Sequence, residues 1–340
     1  MTRTSYEIGH IQHYYGDKKV LDIDQLKILQ GSITGLSGPN GSGKSTLLKI
    51  MAFAMKPSFG QVKFKGRKET PFSPRIRSRI SLLTQKPYLL KRTVFENISY
   101  GLKIRKDLNN LENRVKDSLE TVGLDFQEFA QRKWHELSGG EAQRVAMAAR
   151  LILKPEVLLL DEPVASVDNK SASLIRKASL AARNDWGCTL VIASHDLQWL
   201  YECSDTRISM ARGRIFSTGT ENIIPPPYDL SLKNQPVKAL DKGEHILLPL
   251  TDKKDGTAVI QTEKISISNE KKGNRKFNNQ ATGVILSMLL EKSSNHIMTT
   301  IQVGDFSLNL SFSPGKAEEL GLQPGKKIIL MFRSKDIEWR

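Results

Sequence analysis

Apolar and polar residues alternate from the start of the chain. Tyr6 and Ile8, then Val20, Leu21, Ile23, Leu26 and Ile28, predict strands within residues 5–36. Gly31 marks a turn before an apolar strand around Ile33 and Leu36, and Leu47, Leu48, Ile50 and Met51 follow at helical spacing. Gln61 to Lys65 and Ile80 to Leu83 read as strands, separated by a basic loop over 66–78 that contains Pro71 and Pro74. Residues 93–154 then take a helical period, with Val94, Ile98 and Leu102 on one stripe and Leu111, Val115, Leu119 and Val122 on another. Gly123 suits the end of the second helix. Val157 to Leu160 and Thr189 to Ala193 are unbroken apolar runs, as expected of parallel strands buried on both faces. A helix is expected over 170–183 and two short strands over 206–217.

The pattern changes after that. Ile223 to Tyr228 holds three successive prolines and reads as a stiff linker. Short candidate strands follow at 246–250, 258–260 and 265–268, then a polar loop at 269–280. Strands at 284–290, 297–303, 306–310 and 327–332 are clearer, with a short helix from Pro314 to Gly321 capped by Ser313. The expected organisation is an α/β domain over 1–222 with a helical subdomain near 86–154, a linker and β-rich segment over 223–280, and a small all-β domain over 281–340.

Candidate chemistry sits where these elements join. Gly38-Pro39-Asn40-Gly41-Ser42-Gly43-Lys44-Ser45-Thr46 lies between an apolar strand and a helix and fills the phosphate-loop pattern G-x-x-x-x-G-K-[ST]. Glycines let successive N–H groups face one anion, and the helix N-terminus adds its field. Lys44 is expected to reach the β- and γ-phosphates and Ser45 to hold Mg²⁺. Asp161 and Glu162 end a buried strand, where uncompensated carboxylates are costly. One metal-linked aspartate and one glutamate that polarises water is the natural division. Gln85, at another strand end, reads as a Mg²⁺ or water ligand or as a surface residue. His195, after the run ending at Ala193, reads equally as a γ-phosphate contact or as a structural histidine. Tyr14 or Tyr15 is a candidate to stack on adenine, or a half-buried surface tyrosine. Ser138-Gly139-Gly140-Glu141 is a well-capped helix start, and with its open N–H groups also a second anion site. Asp168 follows on the next turn after Pro163.

Composition narrows the setting. No apolar run nears the ~18 residues that span a bilayer, and Met1 to His10 lacks the apolar core of a signal peptide. Cys188 and Cys203 are not spaced as a metal site and suit a reducing compartment. A soluble, cytoplasmic protein is expected. The net charge of +15 fits attraction to an anionic membrane surface, or solubility alone. No nucleic-acid module is present among the known signatures, so no nucleic-acid partner is expected.

Together these pieces resemble the ATP-binding subunit of ABC transporters over roughly residues 5–217. Gly38–Thr46 resembles Walker A, Val157–Glu162 resembles Walker B with its following glutamate, and Leu137–Arg144 resembles the LSGGQ-type signature, with Glu141 in place of glutamine. Gln85 matches the Q-loop, His195 the switch histidine, Ser166-Val167-Asp168 the D-loop with valine where leucine is usual, and Tyr15 the adenine-stacking aromatic. The resemblance implies a homodimer closing head to tail around two ATP molecules, with Walker A of one copy facing Ser138, Gly139 and Gly140 of the other. It assigns Ser45, Gln85 and Asp161 to Mg²⁺, and Glu162 and His195 to catalysis. It also implies a membrane permease docked on 86–136, chiefly Tyr88–Leu102, a solute-binding protein acting indirectly, and residence on the inner face of the cell membrane.

The stretch Tyr14 to Arg105, with its Leu83-Thr84-Gln85 and Pro87-Tyr88-Leu89-Leu90-Lys91-Arg92-Thr93-Val94 runs, resembles tungstate-type importer ATPases. Gly283-Val284, Leu320 to Gly325 and Phe332 to Ile337 resemble the small molybdate-binding (TOBE/Mop-like) β domain. Uptake of tungstate or molybdate is therefore the expected task. Sulfate or another solute is the alternative, and a soluble ATPase acting on nucleic acid or ribosomes is the remote one.

Overall fold

The computed structural model describes residues 3–165, 167–217, 221–229, 236–240, 243–251, 256–270, 277–291 and 294–339. Ser166 of the expected D-loop and 271–276 of the expected polar loop lie outside these residues. The chain divides into two units, Met1–Ile215 and Phe216–Arg340.

In chain order the first unit holds β1 (Thr4–Tyr15), β2 (Lys18–Leu29), β3 (Ile33–Ser37), α1 (Lys44–Met51), β4 (Phe59–Phe64), β5 (Arg67–Lys68), α2 (Pro74–Arg77) and β6 (Ile80–Leu83). The helices α3 (Val94–Ile104), α4 (Leu111–Thr121), α5 (Phe126–Phe129) and α6 (Gly139–Leu151) follow. Then come β7 (Val157–Asp161), α7 (Asn169–Trp186), β8 (Thr189–Ala193), α8 (Leu197–Cys203) and β9 (Thr206–Ala211), with β10 (Arg214–Ser217) running across the boundary.

Two sheets form. One has the order β2-β1-β4-β5, with its pairs antiparallel, and the other has the order β10-β9-β3-β8-β7-β6. In the second sheet β3 pairs in parallel with β8 and β9, and β7 with β6 and β8. The unbroken apolar runs have a direct reason. Side chains on a strand point alternately to opposite faces. Leu158 and Leu160 enter the core shared with α3, α4 and α6, whereas Val157 and Leu159 enter the core shared with α1 and the first sheet. Leu190 and Ile192, against Val191 and Ala193, repeat the division on β8. Each such leucine, isoleucine or valine contributes about 1.5–3 kcal/mol by leaving water.

The helical stripes also form as expected. Val94, Ile98, Leu102, Val115, Leu119 and Val122 are all fully buried in one core. Thr93 and Glu96 close a capping box on α3, and Gly123 takes the left-handed backbone just beyond α4. The basic loop expected over 66–78 instead contains β5 and α2. Ile76 is the reason: it is fully buried in the core beneath the first sheet and anchors a segment that is otherwise basic and polar.

The second unit holds β11 (Glu221–Ile224), β12 (Val237–Ala239), β13 (His245–Leu247), β14 (Ala258–Gln261), β15 (Ser266–Ser268), β16 (Asn279–Glu291), β17 (His296–Val303), β18 (Phe306–Phe312), α9 (Pro314–Glu319), β19 (Lys327–Phe332) and β20 (Ile337–Trp339). They form sheets of order β15-β19-β16-β17-β18, β11-β14-β20 and β12-β13. The division into units falls ahead of the proline run expected to mark it. Part of that run is a strand: Ile223 pairs with Val259 and Ile224 with Ala258, because Ile224 is a core residue. β14 in turn pairs with β20, so the segment read as a linker shares a sheet with the C-terminus. β16 begins at Asn279, earlier than Val284. Asn279 is almost fully buried, and its amide side chain accepts from the Leu247 N–H at 2.7 Å and donates to the Leu247 carbonyl at 3.0 Å. That pair of hydrogen bonds satisfies a polar side chain inside the sheet, as burial demands.

Candidate functional site

Parallel register brings three strand ends to one edge of the second sheet. Leu36 of β3 and Asp161 of β7 both lie opposite Ala193 of β8. Ligands in α/β sheets gather at this carboxyl edge. The loop Gly38–Thr46 leaves β3 there and is gripped from outside. A Cβ on Gly38, whose φ is 141°, would meet the Met210 carbonyl at 2.2 Å. One on Gly43, φ 104°, would meet Leu21 Cδ2 at 2.7 Å and the Val20 carbonyl at 2.8 Å. Only glycine fits either place. Gly41 also has a positive φ, and Pro39 and Asn40 are exposed on the outer side of the loop.

α1 starts at Lys44 with Gly43 as its N-cap, and no side chain caps it. The first N–H groups of the helix, at Lys44, Ser45 and Thr46, are thus available to an anion. Ser42 Oγ is buried beside them without a hydrogen-bond partner. Lys44 is 6% exposed. Its Nζ donates to the Gly38 carbonyl at 2.7 Å and the Pro39 carbonyl at 3.3 Å, and lies 3.9 Å from Glu162 Oε1. Burial lowers its pKa below the usual lysine value, against the pull of Glu162 and Asp161.

The acidic pair completes the floor. Ser45 Oγ donates to Asp161 Oδ1 at 3.0 Å. Burial raises the Asp161 pKa, partly offset by that hydrogen bond and by Lys44. Glu162 takes a left-handed backbone, φ 47°, which costs a non-glycine residue about 1–3 kcal/mol. Its Oε2 accepts from the His195 backbone N–H at 3.2 Å, and its Oε1 is 3.3 Å from His195 Nε2. The same imidazole nitrogen lies 2.9 Å from Asn40 Oδ1 and 3.4 Å from Lys44 Nζ. One nucleus thus contains Asn40, Lys44, Ser45, Asp161, Glu162 and His195.

Other expected residues make no hydrogen bond to that nucleus among the described residues. Gln85 is exposed just beyond β6 and makes no hydrogen bond among the described residues. Tyr15 ends β1, 49% exposed as a residue, with its ring edge-on to His13 at 4.9 Å. Ser138 caps α6: its Oγ accepts from the Glu141 N–H at 3.3 Å, and Glu141 Oε2 accepts from the Ser138 N–H at 2.8 Å. Nothing lies within 4 Å of a Cβ on Gly139, whereas one on Gly140 would meet Asp168 Oδ2 and Ser171 Oγ, each at 2.7 Å. Asp168 caps α7 through the Ser171 N–H, which lowers its pKa. No hydrogen bond joins Ser138–Gly140 to Gly38–Thr46 among the described residues. One link escaped the sequence reading. Gln143 of α6, 1% exposed, donates to the Pro163 carbonyl at 3.2 Å, tying the helix that starts at Gly139 to the turn after Glu162. A glutamine on the buried face of a helix was its only signal.

Comparison with known proteins agrees with this geometry. The family model described as "ABC transporter" matches residues 21–165. The tungstate uptake system ATP-binding protein TupC of Peptoclostridium acidaminophilum is 37% identical over 209 residues, covering 61% of this chain and 95% of that protein. The spermidine/putrescine import ATP-binding protein PotA of Bacteroides fragilis is 34% identical over 221 residues, covering 64% of this chain and 47% of that protein, so the chain spans about half of its length. Among solved structures, cbiO1 of Clostridium perfringens superposes with TM-score 0.56 at 29% identity, over 63% of this chain and 87% of that one. An ATP-binding cassette dimer in a post-hydrolysis state, bound to ADP and Pi, superposes with TM-score 0.57 at 26% identity, over 62% and 98%. The chain belongs to the ABC transporter family, among its ATP-binding, ATP-hydrolysing subunits.

Proposed function

We propose that this chain is the ATPase motor of an importer for tungstate or molybdate, working as a head-to-tail dimer on the inner face of the cell membrane. The observation that carries the chemistry is the nucleus of Lys44, Ser45, Asp161, Glu162 and His195 at one sheet edge. The α1 N–H groups and Lys44 hold the phosphates of ATP. Ser45 and Asp161 hold Mg²⁺, joined by Gln85 from the end of β6. A partly desolvated carboxylate beside a hydroxyl fits that cation, since burial already disfavours the bare charge on Asp161. When bound, the metal neutralises charge that develops on the transferred phosphoryl group. Glu162 takes the proton of the attacking water, and His195, steadied by Asn40, contacts the γ-phosphate. Tyr15 stacks on the adenine. Ser138, Gly139, Gly140 and Asp168 complete the site of a second copy, which accounts for the exposure of Ser138, Gly139 and Asp168.

The helical subdomain offers the permease a surface. Tyr88 is 78% and Ile104 64% exposed. Tyr100, Ile104, Arg77, Arg105 and Leu153 line a cleft of about 730 Å³. No helix among the described residues is long and apolar enough to cross a membrane, so attachment runs through the permease. The C-terminal β domain over 281–340 serves, by its resemblance to the molybdate-binding type, as an oxyanion-responsive or dimer-contact module.

The solute is supported by the tungstate relative, covered over 95% of its length. A polyamine is the second reading, favoured by the matches to PotA proteins. The test is ATPase activity of the chain assembled with its permease in vesicles, stimulated by loaded solute-binding protein. Stimulation by tungstate or molybdate is expected. Stimulation by spermidine alone, or by sulfate alone, overturns the oxyanion assignment. Activation by nucleic acid without any permease overturns the transport reading as a whole.

A further inference from the structure

His195 is about half exposed, so its imidazole has freedom that the loop carrying it must limit. That loop is short, running from the end of β8 at Ala193 to the start of α8 at Leu197. Its next residue, Asp196, is gripped twice. Asp196 Oδ1 accepts from the Trp199 N–H at 3.0 Å and caps α8. Asp196 Oδ2 pairs with the Arg176 guanidinium on α7. The Arg176 guanidinium carbon also lies over the Trp199 ring, 5.4 Å from its centroid. Arg176 Nε is buried without a partner, so the side chain gives up one donor to hold this position. The Asp196 N–H donates to Ser194 Oγ at 3.0 Å, and the Ser194 N–H donates to the Leu36 carbonyl of β3 at 3.1 Å. The loop is therefore pinned from the sheet side by β3 and from the helix side by Arg176.

α7 reaches further. It begins at the Asp168 cap, against which Gly140 of α6 packs. Asp168 and Arg176 stand about two helical turns apart on one rod, roughly 12 Å at 1.5 Å per residue. Contacts run without a break from the first turn of α6, through Asp168, α7, Arg176 and Asp196, to His195 and so to Glu162.

We propose that Arg176 is a positioning residue for His195: through Asp196 it sets the imidazole relative to Glu162 and Asn40 and ties that placement to the first turn of α6. The proposal rests on the reading of His195 as the γ-phosphate contact. It names no contact between Arg176 and nucleotide.

The full chain is tested by phosphate release at saturating ATP, with ATP affinity from fluorescence titration and the thermal unfolding midpoint measured alongside. The variants are Arg176→Met, Arg176→Lys, Asp196→Asn and the Arg176→Met, Asp196→Asn pair. Asp196→Asn keeps an oxygen to cap α8 but removes the charge that holds Arg176. Each single loss is expected to lower kcat about tenfold with ATP affinity unchanged, and the pair to lose no more than either alone, as coupled residues do. Arg176→Lys is expected to recover part of the rate. Additive losses, unchanged kcat in Asp196→Asn, or a fall in unfolding midpoint without a fall in kcat overturn the proposal. If Arg176→Met does not fold, Asp196→Asn and Arg176→Lys decide alone. His195→Ala separates the two readings. If it turns over normally, the role given to His195 falls. If it is inactive while Asp196→Asn is normal, only the positioning role falls.

Discussion

The two glycine loops of the first unit look alike in sequence and differ in construction. Gly38–Thr46 is enclosed: Gly38 lies against the Met210 backbone, Gly43 against Leu21 and Val20, and Lys44 is buried among carbonyls and carboxylates. Ser138–Gly140 is open at its start: Ser138 and Glu141 satisfy each other and Gly139 faces nothing, while only Gly140 is crowded, by Asp168 and Ser171. The first loop needs glycine at 38 and 43 to fold, because a Cβ at either strikes its own chain. The second does not need Gly139 for folding, so a glycine there leaves room for something outside the chain. An enclosed loop is an anion site by itself. A well-capped helix start becomes one only when another molecule supplies the anion.

That contrast can be broken by substitution. The largest effect is expected from Glu162→Gln, which removes a proton acceptor and is predicted to slow hydrolysis about 10²–10⁴-fold while ATP binding persists. Phosphate release and ATP titration check it, and size-exclusion chromatography with ATP should reveal a trapped dimer. Unchanged turnover would take Glu162 out of the reaction. Next is Lys44→Ala, predicted to cost about 1.5–3 kcal/mol of ATP affinity through the lost charged hydrogen bond, read by calorimetric titration.

The paired glycines sharpen the comparison directly. Gly38→Ala is predicted to destabilise the fold by about 1–3 kcal/mol or more, from overpacking and a strained φ. Gly139→Ala is predicted to leave stability within about 0.5 kcal/mol yet to reduce ATP-driven dimerisation. Denaturant midpoints and chromatography with ATP give both answers. If Gly139→Ala unfolds the chain, or dimerises normally, the open loop is not an interface.

The smallest effect lies at the opposite end of β7, away from both loops. Glu156 is held by Arg79 and Lys65, and its pKa is lowered to about 2, chiefly by the Arg79 hydrogen bond. The unfolded carboxyl, near 4.5, binds a proton first as pH falls. The stabilisation is therefore complete above about pH 4.5 and is lost progressively toward about pH 2. Glu156→Gln should flatten the acid limb of the unfolding curve in that window and leave ATP turnover unaltered. An unchanged acid limb would show the pair to be a solvent-screened surface contact.

Much of this was legible in the chain alone, where the cause is local. Left-handed glycines, the Gly43 helix start, the Ser138–Glu141 box and the unbroken Val157–Leu160 run depend on neighbours within a few residues, and the helical stripes on a fixed period. Residue types and spacing also named Lys44, Asp161, Glu162 and His195. What they could not supply was their meeting. Lys44 and His195 are 151 positions apart, and they touch only because β3 and β8 pair in parallel in one particular register. The grip of Arg176 on Asp196, the bond from Gln143 to Pro163, the burial of Asn279 and the pairing of a proline-flanked strand with β14 have the same origin. Each is a polar or backbone contact whose partner is chosen by packing across the fold, after local preference has been spent on making the elements. The chain by itself determined which elements form and which groups stand ready. Only the tertiary structure decided which groups share a site, because register and helix packing are set by the burial of whole faces and not by any one residue.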